Sequence, residues 1–120
     1  MSDEKTRQNL RARTTEFALR IVKMHAALPK SAVARTLGGQ LLRSGTSVGA
    51  NYREAFRARS KAEFISKMGD CLRELEESAY WLELLSASGI VNASCLASLN
   101  AEADELLAIF TAIVKNAKAD

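Results

Sequence analysis

The chain has 120 residues, of which 48% are hydrophobic and 26% charged, with one proline and six glycines. This length suits one domain with a core of its own, and the balance of residue types argues against a disordered or low-complexity chain. The net charge of +3 is too small to predict a nucleic-acid partner by itself, so the distribution of charge has to decide that question.

Cysteine usage and hydropathy indicate the compartment. Cys71 and Cys95 show no CxxC spacing and are too few for a disulfide framework, which favours a reducing environment. Residues 2–13 are polar and charged, so no secretory signal is predicted. No apolar run approaches the roughly 18 residues that a membrane span requires. We therefore expect a cytoplasmic protein without a membrane partner.

The first predicted helix covers about residues 5–27. Its core positions step by three and four residues, which places them on one side of a helix. They are Leu10, Thr14, Phe17, Ile21, Met24 and Leu28, and only the threonine is polar. Pro29 disfavours helical geometry at the residue before it and therefore marks the end of this helix.

The second predicted helix covers about residues 31–58, with Ser31 as its N-cap. Its expected core positions are Val33, Leu37, Leu41, Ser44, Val48 and Ala55. Four glycines, Gly38, Gly39, Gly45 and Gly49, lie inside it. Because an interior glycine costs a helix about 1 kcal/mol relative to alanine, we expect the backbone of a neighbouring element to approach closely here.

The third predicted helix covers residues 61–87 and starts with a capping box formed by Ser60 and Glu63. Its core positions are Phe64, Met68, Cys71, Leu75, Ser78, Leu82 and Leu85. Gly89 predicts a left-handed C-cap, with Ile90 making the hydrophobic contact that often accompanies it.

The last predicted helix covers about residues 93–117 after an N-cap at Asn92. Its core positions are Leu96, Leu99, Ala103, Leu106, Phe110, Ile113 and Ala117. Connections of a few residues make consecutive helices antiparallel neighbours. The predicted fold is therefore an all-α, antiparallel up-down-up-down four-helix bundle, with residues 1–120 as one domain.

The residues that could carry chemistry do not form a known catalytic constellation. A di-iron bundle needs Glu-x-x-His pairs, but the only histidine, His25, has Val22 three residues before it. Cys71 falls among the core positions and is expected to be a small buried hydrophobe. The sequence also has no glycine-rich phosphate-binding motif. We predict no enzymatic activity, no metal and no cofactor.

Two charged lines stand out on the predicted helices. Arg35, Arg43, Arg53 and Arg57 cluster on the side of the second helix opposite its leucines. Glu63, Asp70, Glu74 and Glu77 form a line on the third helix that Trp81 continues. Both lines are typical of solvated surfaces, and both also suit mutual pairing. The short turn between the second and third helices allows some pairs to form within one chain. Arginines that point away from the core, however, are expected to meet the acidic line only on another subunit.

A second pattern also favours self-association. Small and apolar residues on the second helix continue beyond its core positions, through Leu42, Gly45, Gly49, Tyr52 and Phe56. A lone four-helix bundle is expected to leave this extension exposed, and a contiguous exposed apolar patch usually marks an interface. We therefore predict a homo-oligomer whose interface includes these residues and Arg53, together with the acidic line and Trp81.

From Leu28 to Leu85 the chain resembles the four-helix bundle proteins related to those encoded in intervening sequences of bacterial 23S ribosomal RNA genes. The shared motifs are LPK, then QLLRSGTSVGANYREA, then a serine followed by EFI and a long acidic and apolar helix. The most specific part is the block from Arg43 to Ala55, and with the flanking helices the resemblance covers nearly the whole chain. Many members have a proline where this chain has Gly49, so any bend there is expected to be kept by other means.

The resemblance implies a left-turning bundle of four helices that assembles into a homopentameric ring, with no established catalytic activity. A distant relative is the accessory protein of diversity-generating retroelements, which uses a similar ring and a basic surface to bind nucleic acid and a reverse transcriptase. That likeness is one of fold and carries little weight for function.

Two functions follow as hypotheses. In the first, the protein is a non-enzymatic, self-associating scaffold for nucleic acid or a ribonucleoprotein, and its phosphate contacts are Arg35, Arg43, Arg53, Arg57, Arg59 and Lys61. In the second, it is a purely structural or protein-interaction oligomer whose arginines are used in subunit contacts. The partners are accordingly a second copy of the chain, RNA or DNA, or another protein.

Overall fold

The structure is a computed structural model that describes residues 4–119. Four α-helices make up the fold, and this part of the chain contains no strand. They are α1 (Glu4–Ala26), α2 (Ala32–Ala55), α3 (Lys61–Ala87) and α4 (Ala93–Ala119). All four helices were predicted, and the largest difference in position is at the end of α2, which stops at Ala55 rather than near residue 58. The molecule measures 47 × 22 × 20 Å.

The helix ends follow the predicted capping chemistry in most cases. Ser31 Oγ accepts a hydrogen bond from the Ala34 N–H (3.1 Å), and Ser60 Oγ accepts one from the Glu63 N–H (3.0 Å). The Glu63 carboxylate in turn accepts the Arg59 N–H at 2.6 Å, one residue earlier than the usual capping box. Gly89 has a positive φ of 80°, as a left-handed cap requires.

The start of α4 differs from the prediction. The helix begins at Ala93, directly after Asn92, but Asn92 accepts the Cys95 N–H through its main-chain carbonyl, at 2.9 Å. The side-chain cap that we predicted at Asn92 is therefore not the interaction that starts this helix.

The core is formed by one face of each helix. The largest side chains that are fully buried include Tyr52, Phe17 and Phe110. Tyr52 stacks on Phe110, with ring centroids 5.4 Å apart, and so joins α2 to α4 across the bundle. Two serines form a polar contact inside the core, since Ser44 Oγ and Ser78 Oγ lie 2.9 Å apart. The predicted core positions of α1, α3 and α4 are buried or partly buried.

Helix α2 buries a wider face than the predicted one. Leu41, Ser44, Val48 and Ala55 are buried and Leu37 packs against the core, as predicted, but Val33 does not. Val33 is 58% exposed, whereas its neighbour Ala34 is fully buried. The reason is that α2 contacts both α1 and α3, so its buried face is wide and includes positions that a single stripe leaves out.

The α2 glycines explain how α1 approaches this face. A Cβ atom at Gly45 would lie 2.3 Å from Ile21 Cδ1, and one at Gly49 would lie 3.3 Å from Thr14 Oγ1. Helix α1 thus approaches closely at both positions, but the predicted approach of its backbone is found only at Gly49, where the Thr14 carbonyl oxygen would lie 3.6 Å from the Cβ. At Gly45 the near atoms all belong to the Ile21 side chain. A Cβ atom added at Gly39 would meet no atom within 4 Å beyond the backbone of its own helix, so the structure gives no packing reason for that glycine.

The same contacts correct the predicted interface. Gly45, Gly49 and Tyr52 are buried within the single chain, where α1 covers the two glycines. Leu42 and Phe56 are partly buried and pack against the core. The expectation that a lone bundle would leave this extension exposed is therefore wrong, because the pattern marks the α1 contact.

None of the helices in residues 4–119 combines the length and the apolar character needed to cross a membrane.

Candidate functional site

The arginines of α2 do not form one free basic face. Arg43 Nη2 lies 2.5 Å from Glu77 Oε1, and Arg43 Nη1 lies 3.3 Å from Glu74 Oε1, both on α3 of the same chain. The expectation that Arg43 meets the acidic line only on another subunit is therefore wrong. The Cα–Cβ bond of Arg43 points away from the core, but its side chain is long enough to cross the groove between the two adjacent helices.

Arg53 and Arg35 have separate surroundings. Arg53 Nη2 donates to Thr15 Oγ1 on α1, at 3.2 Å. Arg35 is exposed near the start of α2. At 1.5 Å per residue it lies about 27 Å along the helix from Arg53. The two residues cannot contact the same short stretch of a ligand from positions so far apart.

The acidic line is also largely satisfied within the chain. Glu63 caps α3, and Asp70 Oδ1 accepts from Arg73 Nη2 at 2.8 Å on the same helix. Glu74 and Glu77 bind Arg43. Trp81 is partly buried, and its Nε1 has no hydrogen-bond partner among the described residues. These carboxylates therefore do not need a second subunit to be neutralised.

The turn between α2 and α3 carries cations that remain unpaired. Arg57, Arg59 and Lys61 are exposed, and their side chains form no ion pair within residues 4–119. The turn is held by main-chain hydrogen bonds, from the Arg57 N–H to the Glu54 carbonyl and from the Ala58 N–H to the Ala55 carbonyl. It therefore presents three free cations from a short, fixed segment.

Both ends of the described chain add cations next to this turn. A cleft of about 540 Å³ is lined by Arg7 of α1, by Lys61 of α3 and by Asn116 of α4, so these elements meet at one end of the molecule. We call this region the basic end. Arg7 and Lys61 line the cleft, and Arg57 and Arg59 lie in the adjoining turn. Four further cations, Lys5, Arg11, Lys115 and Lys118, lie within a few residues of the lining residues of α1 and α4.

The acidic residues of the basic end neutralise little of this charge. Glu4 forms a 3.6 Å ion pair with Arg7, and Glu54 binds Lys67 at 2.7 Å. Glu63 is held in the cap of α3. No carboxylate lines the cleft within the described residues. The basic end is therefore a region of positive potential.

Sequence reasoning found only part of the basic end. It named Arg57, Arg59 and Lys61, which the structure brings together, but it missed the cations of α1 and α4. Those residues lie about 50 or more positions away along the chain, and only the packing of the helices makes them neighbours. The available signal was that the first turns of α1 and the last turns of α4 are both rich in cations.

Apolar side chains form part of the cleft wall, beside polar ones such as Ser60 and Asn116. Phe64 and Ile113 line it, together with Ala55, Ala117 and Phe56. The Arg7 guanidinium lies over the Phe56 ring, 4.8 Å from its centroid, and this cation–π contact keeps a positive charge at the mouth.

Cysteine and histidine, which enzymes use for nucleophilic or metal chemistry, do not line this cleft within the described residues. Cys71 is fully buried, and burial raises the pKa of its thiol to about 12, which confirms the prediction of a small buried hydrophobe. His25 is partly buried beside Gly38. In the part of the chain that the structure describes, no three His, Cys, Asp or Glu side chains are arranged to hold a metal ion.

The fold and the charge distribution define an all-α protein of four helices with one basic end. Residues 7–112 match the family described as 23S rRNA-intervening sequence protein, and the chain belongs to this family. The resemblance stated from the sequence is thereby confirmed.

A solved structure supports the same family membership. The chain is similar to a protein of unknown function from the S23 ribosomal protein family of Bacteroides thetaiotaomicron, with 37% sequence identity and a TM-score of 0.85. The similarity covers 91% of this chain and 97% of that one. No curated protein matches the sequence.

Proposed function

We propose that this protein is a non-enzymatic, cytoplasmic homo-oligomer that acts as a scaffold for nucleic acid or a ribonucleoprotein. The observation that carries the proposal is the basic end, where exposed cations from three parts of the chain surround a cleft with no carboxylate in its lining. Phosphate groups are the ligands that such a surface attracts, and binding of this kind is salt-dependent and independent of sequence.

The structure changes which residues we expect to contact phosphate. Arg57, Arg59 and Lys61 remain the main candidates, because they are exposed and free of ion pairs in residues 4–119. Arg43 is already bound to two carboxylates, and Arg35 lies at the other end of α2. We therefore propose the basic end, rather than the whole length of α2, as the contact surface.

The contacts between helices support an up-down-up-down bundle as the subunit. Thr14 lies beside Gly49, whereas Ile21, later in α1, lies beside Gly45, earlier in α2. The same reversed order relates α1 to α4, since Arg13 binds Glu102 while Arg20 donates to Ser98.

Self-association is supported by apolar side chains that the single chain leaves exposed. Leu19 is 57% exposed and Val22 45% exposed on α1, and Val33 and Tyr80 are also largely exposed. We propose that these residues, rather than Gly45, Gly49 and Tyr52, contribute to the subunit contact. A homopentameric ring is the assembly that the family resemblance implies.

The direct test is filter binding with structured RNA and with DNA at about 50 mM salt, where phosphate contacts are strongest. RNA is the first probe, because the family's description refers to 23S rRNA. We expect both nucleic acids to be retained. If the protein retains neither RNA nor DNA, the proposal is overturned.

The exposed apolar residues favour a second candidate, an oligomer that binds only itself or another protein. Charge reversal at Arg53 separates the two, because Arg53 donates to Thr15 beside the exposed part of α1. If Arg53→Glu dissociates the oligomer at unchanged helicity, Arg53 belongs to the interface. If the oligomer stays intact, and RNA binding is lost in Lys61→Glu but kept in Arg53→Glu, the scaffold is favoured.

A further inference from the structure

We propose that the cleft of the basic end receives one unstacked base of a single-stranded nucleic acid, with the Phe64 ring as its stacking surface. Arg7 and Lys61, at the mouth, contact the phosphates on either side of that base. This inference rests on the proposed function and deepens it, since it names the single strand as the ligand and one ring as the base contact.

The size and lining of the cleft suit a nucleotide. Its volume of about 540 Å³ lies within the range of about 300–1,000 Å³ that is usual for sites that take small ligands. Its walls combine apolar side chains with the polar Asn116. An amide carries both donors and an acceptor, so Asn116 can pair with the edge of any base.

The aromatic rings at this end have different roles. Phe56 contacts Tyr52 edge to face at 4.6 Å, and the Arg7 guanidinium covers one of its faces. Phe64 is partly buried and packs against the core, and it also lines the cleft. It joins no aromatic or cation–π pair in residues 4–119, so of the two rings it is the one whose cleft side can stack on a base, an interaction that every base can make.

The charge at the mouth favours a nucleotide over an uncharged apolar ligand. Lys61 is exposed and has no ion pair in residues 4–119. Within residues 4–119 the one ion pair of Arg7 is with exposed Glu4, at 3.6 Å, and a pair of this kind is weak enough for a phosphate to replace it. The two cations and the partly buried Phe64 ring line the same cleft, a combination that suits a phosphate backbone with one inserted base.

The test compares a labelled single strand of about twelve nucleotides with a duplex of the same length, by fluorescence anisotropy, on three forms of the full chain. They are the wild type, Phe64→Leu, which removes the ring, and Phe64→Tyr, which keeps it. Circular dichroism and the molecular mass in solution establish that each variant is folded and assembled. We expect Phe64→Leu to weaken single-strand binding about 5-fold to 100-fold, with Phe64→Tyr close to the wild type and duplex binding unchanged.

The other outcomes separate the two proposals. If the wild type binds both probes but Phe64→Leu weakens neither, or weakens both equally, the base does not enter the cleft and only this inference fails. If the wild type binds neither probe, the proposed function fails as well. If Phe64→Leu is folded but changes the molecular mass, a second copy of the chain occupies the cleft, and the inference is overturned.

Discussion

Arg43 and Glu74 are joined within one chain, with 3.3 Å between Arg43 Nη1 and Glu74 Oε1 across the groove between α2 and α3. Glu77 binds the same guanidinium. The arginine that begins the family-specific block is thus part of the bundle's own surface. A phosphate would have to displace two carboxylates to reach it, which is why we place nucleic-acid contacts at the basic end.

The first prediction concerns Arg43. Its side chain is 50% exposed, so Arg43→Gln should lower the free energy of unfolding by no more than about 1 kcal/mol. RNA affinity should change less than in Lys61→Gln, which removes one charge from the basic end. Urea denaturation and filter binding measure the two effects. A larger loss of affinity in Arg43→Gln than in Lys61→Gln would show that Arg43 leaves its carboxylates to bind phosphate.

The second prediction uses two glycines of α2 as a matched pair. Gly39→Ala should raise the free energy of unfolding by up to about 1 kcal/mol. The new Cβ would meet no neighbouring atom within 4 Å, and alanine is the better helix former. Gly45→Ala should lower it by about 1–3 kcal/mol, because the new Cβ would overlap Ile21, which is fully buried and has little room to move. Thermal or urea denaturation gives both values. Equal effects of the two substitutions would contradict the α1–α2 packing described above.

These glycines also show what the sequence could predict about the fold. Helix number, order and most core positions follow from the spacing of apolar residues and from capping signals such as Ser60 and Gly89. A spacing pattern records which face of a helix is buried, but not which partner buries it. The small face of α2 was therefore assigned to another subunit, when it is α1 that covers Gly45 and Gly49.

The third prediction concerns alkaline pH. Burial raises the pKa of the Cys71 thiol from an ordinary 9.0 to about 12, and burial also raises the pKa of Tyr52. Between pH 9 and about pH 12 the Cys71 thiol has lost its proton in the unfolded chain but keeps it in the folded chain. The stability is therefore complete below pH 9 and falls as the pH rises towards 12, by about 1.4 kcal/mol per pH unit for each such group.

The measurement for Cys71 is urea denaturation at a series of pH values from 8 upwards. The free energy of unfolding of Cys71→Ala should fall less steeply than that of the wild type between pH 9 and 10, before Tyr52 begins to contribute. The control is Cys95→Ser, which changes an exposed thiol and should keep the wild-type profile. The same slope in Cys71→Ala and the wild type would show that this thiol is not the source of the pH dependence.

The fourth prediction concerns the link between α1 and α4. Arg13 binds Glu102 through two hydrogen bonds, of 2.7 and 3.0 Å, and the hydrogen bond with Glu102 raises the pKa of Arg13. Arg13→Met should lower the free energy of unfolding by about 1–3 kcal/mol, because Glu102, whose side chain is only 20% exposed, loses its partner.

A second variant tests the cause of that loss. In the double variant Arg13→Met, Glu102→Met the less exposed carboxylate is gone. Only Glu105, which also binds Arg13 at 2.8 Å but is 62% exposed, is left without its partner, so part of the stability should return. If the double variant is as unstable as the sum of the two single ones, the pair is not coupled and the attribution to Glu102 is wrong.

The candidate site was less accessible from the sequence than the fold. Arg57, Arg59 and Lys61 are close in the sequence and were named together. Arg7 of α1 and Asn116 of α4 line the same cleft as Lys61, but their proximity depends on how α1 and α4 pack against the α2–α3 turn. Long arginine side chains make partners still harder to predict, since Arg43 reaches Glu77 on α3 although its helical position alone does not indicate this contact.

The central claim is that phosphate binds at the basic end, and the salt dependence of RNA binding tests it most directly. Each phosphate contact contributes about 0.7–0.9 to the slope of log Kobs against log salt concentration. The double variant Arg57→Gln, Lys61→Gln should therefore reduce that slope by roughly 1.5 relative to the wild type. Arg35→Gln, which removes an exposed charge at the opposite end of α2, should leave the slope unchanged. Equal slopes for the wild type and the double variant, or a reduction only in Arg35→Gln, would contradict the account.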